Sequence, residues 1–517
     1  MKPPCDEAVI GAGAAGTPCP EELRPWVLTA TILGSSMAFI DSTAVNVALP
    51  ALQSSLHATM VDVQWVIEAY GLFLSALILV GGALGDSLGR RAMFLFGVAG
   101  FAVASAGCGF SSSIRELVLW RSIQGVAAAF LVPGSLAIIS SSFDEESRGK
   151  AIGTWAGFTT ITTALGPVLG GWLIEHASWH CVFFINVPLA AVVFVISALH
   201  LPKSRSSTAE TVDWLGASIV TGGLAAVVYG FLESAILGWK DPRVIGTLVF
   251  GFGALIVFIF VEKTERTPMV PLKLFQSASF SGANELTLYL YAALGIFFFL
   301  FPLNLIQIQT YSATETGAAA LPMILLMFFL SRWSGGLTTR YGPRLPLLAG
   351  PLIAALGFLL FVLPGARAHY WTSFFPGFTV LGLGMAISIA PLTTVVMNSV
   401  DQERVGIASG INNAVARVAG VLAIAVLGIV MVAAFAHSLR DSLSSLNLKS
   451  DVVHGLESNV ARLGDLYAPA GVAPRTATMI RAAIVQAFVF GFRVIMLLCA
   501  LLAVASAAVA WRKIPAR

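Results

Sequence analysis

Asp41, Glu68 and Arg121 sit inside stretches too apolar to offer them water: "SMAFIDSTAVNVALP", "QWVIEAYGL" and "LVLWRSIQGVAAA". An ionised carboxylate in mid-membrane costs about 2.5–3.5 kcal/mol on insertion scales, so an acid retained there points to function. A carboxyl group in such a place can exchange a proton. Burial and a nearby guanidinium push its proton affinity in opposite directions. A cation that displaces the proton makes the two ligands mutually exclusive, and that exclusion is coupling. At about 1.5 Å per residue, Asp41 lies roughly 13 Å below the outer end of its helix near Pro50, and Arg121 lies roughly 12 Å below the same surface. Opposite charges at equal depth predict a pair. An ion pair that only fixes helix packing is the alternative. Glu68, one turn from Trp65, is a second acid at shallower depth, either intramembrane or in the headgroup zone. Asn46 lies five residues beyond Asp41 and is read either as a cavity residue or as a packing hydrogen bond.

The elements that must hold these residues are membrane helices. Of 517 residues 57% are hydrophobic and 11% charged, with a mean hydropathy of +0.85. Soluble domains carry roughly 25% charged residues, and a bilayer is crossed by about 20 apolar residues in a helix. Fourteen such runs are expected, near 26–49, 63–84, 93–112, 115–140, 150–174, 180–200, 213–233, 244–262, 280–303, 317–338, 345–364, 372–397, 405–435 and 480–511. The fold class is therefore an all-α polytopic membrane protein. Lys and Arg gather on one side of these runs, among them Arg90, Arg91, Arg148, Lys150, Lys203 and Arg205. The positive-inside rule then places both termini in the cytoplasm and the protein in a cytoplasmic membrane. The net charge of +3 follows from this topology and gives no case for nucleic acid.

Several other signals are read as silent. "VIGAGAAG" spells a dinucleotide fingerprint at Gly11, Gly13 and Gly16, but it lacks a preceding strand, and Pro18 and Pro20 follow it. Residues 1–25 are expected as a flexible cytoplasmic tail without the apolar core of a secretory signal. The five cysteines show no metal-ligand spacing. No cofactor, metal or phosphate-binding loop is implied, and the chain is read as a non-enzyme.

"GALGDSLGRRAMFLFG" and "GGLTTRYGPRLPLLAG" align so that Gly82, Gly89, Arg91 and Gly97 meet Gly335, Gly342, Arg344 and Gly350. Both copies follow the second helix of a six-helix half, which reads as duplication. The expected organisation is a six-helix bundle over 26–200, a linker with two extra helices over 201–275, and a second bundle over 276–517. The last contains a long external loop, 436–478, in which Val453, Leu456, Val460 and Leu463 recur at helical spacing.

With these motifs the chain resembles the major facilitator superfamily, in its fourteen-helix drug:proton antiporter branch. "GGALGDSLGRR" resembles the loop 2–3 motif through Gly85, Asp86, Gly89, Arg90 and Arg91. "RSIQGVAAA" resembles the fourth-helix motif through Arg121, Gln124 and Gly125. "GTWAGFTTITTALGPVLGG" resembles the fifth-helix antiporter motif through Gly153, Gly166, Pro167, Gly170 and Gly171, with Thr162 where that motif usually has glycine. "IDSTAVNVALP", "WHCVFFINVP" and "ERTPMVPLKLF" are also similar to that branch.

The resemblance implies two six-helix halves plus an inserted pair. It implies a proton antiporter that exports amphipathic, cationic compounds, with the proton as coupling ion. Asp41 would be the proton and cation site, Arg121 its modulator and Glu68 an accessory. Asp86 is expected to accept from Arg148 near the start of helix 13 and so hold an outward-facing state. The expected partners are a small-molecule substrate and the bilayer. A monomer suffices, and a periplasmic adaptor is an open question. The rival readings are export of a native metabolite on the same fold and, more remotely, a membrane sensor.

The remaining intramembrane groups are less legible. Arg332 is paired with Glu285 by depth. Arg417 and Arg493 are read as structural, with partners unassigned. Tyr289, Tyr291 and Phe297–Phe299 are read either as packing or as cargo contacts.

Overall fold

The computed structural model describes residues 21–516, apart from 144, 202–212, 266–267, 269, 401–404, 445, 447 and 470–471. The glycine-rich head, residues 1–20, lies outside the described residues. Helices cover all fourteen expected runs, and no strand occurs among the described residues. They are α1 (Arg24–Ser55), α2 (Met60–Leu88), α3 (Arg90–Phe110), α4 (Ile114–Ser142), α5 (Glu145–His176), α6 (His180–His200), α7 (Trp214–Leu237) and α8 (Pro242–Thr264). Then come α9 (Ala278–Leu303), α10 (Ala313–Ala319, Leu321–Gly335 and Leu337–Tyr341), α11 (Arg344–Leu360), α12 (Phe375–Asn398), α13 (Val405–Ser444) and α14 (Pro474–Lys513).

Among the described residues, 12 helices are long and apolar enough to cross a membrane. The other two are α11, apolar but only 17 residues long, and α5, which is 32 residues long. Apolar side chains cover the outer surface, as on α8, where Val249, Phe250, Ile256 and Phe260 are exposed. That is what lipid contact requires of helices whose backbone bonds are satisfied internally.

The duplication is visible in three local devices. The second helix of each half opens with a reciprocal capping box, Thr59 with Asp62 on α2 and Ser312 with Glu315 on α10. Each of these helices ends at a glycine with positive φ, Gly89 at 112° and Gly342 at 76°. A side chain is strained there, so Gly89→Ala or Gly342→Ala is expected to cost about 1–3 kcal/mol, read as a lowered thermal midpoint of the purified protein. Next, the equivalent arginines tie the third helix of each half to its last. Arg91 donates to the carbonyls of Leu201 (3.1 Å) and Ala198, and Arg344 Nε donates to the carbonyl of Ile514 (2.8 Å).

The halves meet where α5 packs on α10 and α2 packs on α13. α7 leans on α2 and α13 outside that junction and pairs with α8. Hydrogen bonds across the junction gather at the end remote from the termini. Glu175 accepts from Thr314 Oγ1 (2.5 Å), Gln307 donates to Gln53 (2.8 Å), and Gln53 donates to the Arg462 carbonyl (3.0 Å). The protein is thus closed at that end.

Some expectations need correction. α13 continues to Ser444, so helix occupies the start of the segment expected as a loop from 436. Within the loop, Ser450–Glu457 is helical, but Val460–Asp465 is a tight 3-10 turn with Leu463 at φ 51°, so the regular spacing there does not make one continuous helix. Glu285 pairs with Lys513 (2.7 Å), because α9 packs along α14 and brings its end alongside; the expected pairing of Glu285 with Arg332 is not corrected by this, since the Arg332 side chain lies outside the described ones. Phe297 and Phe299 are buried, and Phe297 packs on Phe361 (centroids 4.9 Å) and Phe378 (5.9 Å). Arg493 finds two backbone partners, the carbonyls of Leu363 (3.3 Å) and Pro364 (3.4 Å).

Candidate functional site

The site is built where α1, α4 and α6 converge against α2. Gly125 makes that convergence feasible: a Cβ there would lie 2.5 Å from the Tyr70 carbonyl oxygen, so only glycine lets α4 reach α2 this closely. One turn away, Arg121 Nε donates to the Val66 carbonyl (3.0 Å), and its guanidinium lies over the Tyr70 ring (4.3 Å to the centroid). Gln124 is three residues from Arg121 and so shares its face.

Arg121 Nη1 donates to Asp41 Oδ2 at 2.6 Å and to Gln124 Oε1 at 2.7 Å. Asp41 Oδ1 accepts from Gln124 Nε2 (2.9 Å) and from Asn186 Nδ2 (3.0 Å). Ser105 on α3 accepts from both amides and donates to the Phe183 carbonyl (2.9 Å). Asp41 is 0% and Arg121 1% exposed. Both carboxylate oxygens are therefore held by donors, one of them charged, as a buried charge needs.

Asn186 escaped the sequence reading, although it lies inside the quoted "WHCVFFINVP". It opens the second part of α6, just past a break at Ile185. Pro188 lacks the N–H that would reach back to the Phe184 carbonyl, which weakens the helix at that break. The available signal was an asparagine beside a proline in an otherwise apolar run.

Asn46 is not part of the cluster. Five residues take it about 140° around the helix from Asp41, and its amide donates to the Ser42 carbonyl (3.1 Å). Glu68 is also elsewhere. It is 0% exposed, and neither of its oxygens has a hydrogen-bond partner among the described groups. It shares its face of α2 with Val61, Trp65 and Leu72, which pack with Leu224 and Val228 of α7 and Val421 of α13. That face turns away from Asp41.

The fifth-helix glycines lie beside the ion pair. A Cβ on Gly166 would fall 2.9 Å from the Ile40 carbonyl oxygen and one on Gly170 2.9 Å from Ala44 Cβ, so these two seat α5 against the stretch of α1 that carries Asp41. Gly171 meets the Ala313 carbonyl of α10 instead, and Gly317 of α10 meets the Pro167 carbonyl. One helix thus contacts the carboxylate-bearing helix and the other half together. Thr162 donates to the Thr159 carbonyl (3.0 Å) within its own helix.

In the loop 2–3 motif, Gly85 is buried near the end of α2, and Arg90 and Arg91 open α3. The side chains of Asp86 and Arg148, and Gly153, lie outside the described ones, as do residues 401–404 before α13. No cluster of three or more potential metal ligands occurs among the described residues.

The sequence profile of the Major Facilitator Superfamily matches residues 31–424. Among characterised relatives, the tetracenomycin C resistance and export protein of Streptomyces glaucescens is 34% identical over 82% of this chain and 79% of its own length. The puromycin resistance protein pur8 of Streptomyces alboniger is 33% identical over 88% of this chain and 92% of its own length. Among solved structures, a bacterial homolog of the human lysosomal transporter Spinster, inward-facing and unoccupied, superposes with a TM-score of 0.65 at 16% identity. It covers 96% of this chain and 99% of that one. A buried charged network inside a duplicated bundle of membrane helices, together with these matches, leads to one conclusion: the chain belongs to the Major Facilitator Superfamily and is a multi-pass membrane transporter of small molecules, not an enzyme.

Proposed function

We propose that this transporter exports amphipathic drug-like compounds across the cytoplasmic membrane in exchange for protons, with both termini cytoplasmic and all fourteen helices crossing. The observation that carries the proton coupling is Asp41. It is a fully buried carboxyl group at mid-depth, held by Arg121, Gln124 and Asn186. Export of drugs is supported by the likeness to the tetracenomycin C resistance and export protein and to the puromycin resistance protein pur8.

In this reading a proton arriving at Asp41 competes with the Arg121 guanidinium for the same oxygen. Protonation weakens the pair and frees Arg121 and α4 to shift relative to α1. Because Gly166 and Gly170 press α5 onto α1, and Gly171 presses α5 onto α10, such a shift is transmitted to the junction of the halves. On this reading the contacts at the far end belong to an inward-facing state, in which cargo loads. Asp86 and Arg148 would secure the opposite, outward-facing state. A proton returning down the gradient supplies about 2.3 kcal/mol per 100 mV, plus the pH difference. Glu68, in the seam with α7 and α13, is an accessory acid. A cationic cargo, expected from the sequence, would need Asp41 released from its three donors, Arg121, Gln124 and Asn186.

The test is transport of a dye panel, ethidium included, in proteoliposomes under an imposed pH gradient. Transport that collapses with an uncoupler is expected. Transport indifferent to the gradient would sink the exchange mechanism.

A further inference from the structure

Arg417 is the charged group at the junction of the halves that the proton-exchange mechanism leaves unused. It lies on α13, twelve residues from the helix start, roughly 18 Å deep. Residues 410, 417, 421, 424 and 428 share one face by helical spacing. That face looks at α2: Gly410 abuts Leu79, Gly71 abuts Val421, and Gln64 donates to the Ile424 carbonyl (3.1 Å). On the α9 side, Asn412 donates to Thr287 (2.7 Å) and Asn284 (3.2 Å), while Gly295 meets Gly420. Tyr291, one turn beyond Thr287, therefore stands beside Arg417. The titratable side chains nearest Arg417 are the phenols of Tyr70 and Tyr291.

No described carboxylate, carbonyl or hydroxyl accepts a hydrogen bond from Arg417. The contrast with its neighbours is sharp: Arg121 has Asp41, and Arg493 has two carbonyls. Glu68 is not its partner: the register of α2 on α13 sets Glu68 level with the Val421–Ile424 turn, beyond Arg417, and neither of its oxygens has a hydrogen-bond partner among the described groups. Tyr70 carries the Arg121 guanidinium over its ring at 4.3 Å and also feels Asp41 and Arg417. The centre of the protein thus gathers two guanidiniums around one carboxylate, and that carboxylate is already taken. Arg417 is half-buried, so its guanidinium can be reached from the space between the halves, and a cation at this depth calls for a counter-charge.

We infer that Arg417 receives an acidic group of the cargo, a carboxylate or phenolate, at a site bordered by Tyr291 and Tyr70. The planar guanidinium can give two parallel hydrogen bonds to such a group, and its position on α13 facing α2 places the bound anion at the junction of the halves. Cargo held there touches the Asp41 half through Tyr70 and the other half through Arg417. The inference rests on the export reading above and specifies the charge of what is exported.

Binding of fluorescein, which carries a carboxylate and a phenolate, is compared with binding of ethidium by fluorescence polarisation on the purified full chain. Arg417→Gln is expected to weaken fluorescein about tenfold or more, with Arg417→Lys intermediate and ethidium not weakened. Its thermal midpoint should not fall, because no partner is stranded. Equal fluorescein affinity in wild type and Arg417→Gln, or no fluorescein binding by wild type, would overturn the inference. So would a fall in midpoint with equal loss of both dyes, the mark of a structural arginine. Asp41→Asn separates the two readings. It is expected to keep fluorescein binding while losing gradient-driven transport. If fluorescein binding depends on Arg417 but wild-type transport ignores the gradient, only the exchange mechanism fails.

Discussion

Asp41→Asn is expected to abolish pH-gradient-driven transport while leaving the chain folded. The amide is nearly isosteric with the carboxylate, and its oxygen can still accept one hydrogen bond in the cluster of Arg121, Gln124 and Asn186. What it loses is the charge that holds Arg121 and the capacity to take a proton. A hydrogen bond to a charged group contributes roughly 1.5–3 kcal/mol, so a modest fall in thermal midpoint should accompany the functional loss. Arg121→Ala is the informative contrast. It strands a carboxylate that is 0% exposed, and breaking a buried pair in this way costs about 3–5 kcal/mol. Arg121→Ala should therefore unfold at lower temperature than Asp41→Asn, as followed by thermal melting in detergent. Gradient-driven transport that survives Asp41→Asn would make the ion pair a packing device, and Glu68 would become the next residue to test.

Gly171→Val is expected to be the most damaging substitution at the contact between the halves. Gly171 faces the Ala313 carbonyl, and Gly317 faces the Pro167 carbonyl, so on both sides the obstacle is backbone. A flexible side chain could yield to a methyl group, but two helices in contact must move apart. Only the closed far end suffers from the added bulk, because opening separates α5 from α10. The substitution therefore acts on a conformational equilibrium, and each 1.4 kcal/mol of differential strain shifts it about tenfold. Spin labels at Ala177 and His369, on the two sides of the far end, should report a longer distance in Gly171→Val, and transport should be lost. An unchanged distance distribution with normal transport would show that the glycine contact does not limit closure.

Some of this was legible before any coordinates. Long apolar runs force helices in a membrane, because backbone polar groups there have no other partner; all fourteen runs hold helix, and among the described residues 12 helices are long and apolar enough to cross. Depth along two helices brought Asp41 and Arg121 to one level, since rise per residue is fixed, and the structure places them 2.6 Å apart. Gly89 and Gly342 were legible as equivalent positions of the repeated loop, and both have positive φ.

Rotation about each helix axis was not legible, and it decided the rest. A sequence gives the height of Glu68 and Asn46, but the neighbours facing them depend on how α2 and α1 pack. One turned toward α7 and the other onto its own backbone. Asn186 joined Asp41 because α6 packs with that position turned toward α1 and α4, which its place in the run does not reveal. Glu285 chose Lys513 because α9 and α14 run side by side, a pairing that depth alone leaves open. Sequence fixes what a residue is and how deep it lies. Tertiary packing decides which charges are matched, and it left Arg417 without a partner among the described groups because α13 turns that position toward the junction of the halves rather than toward any acid.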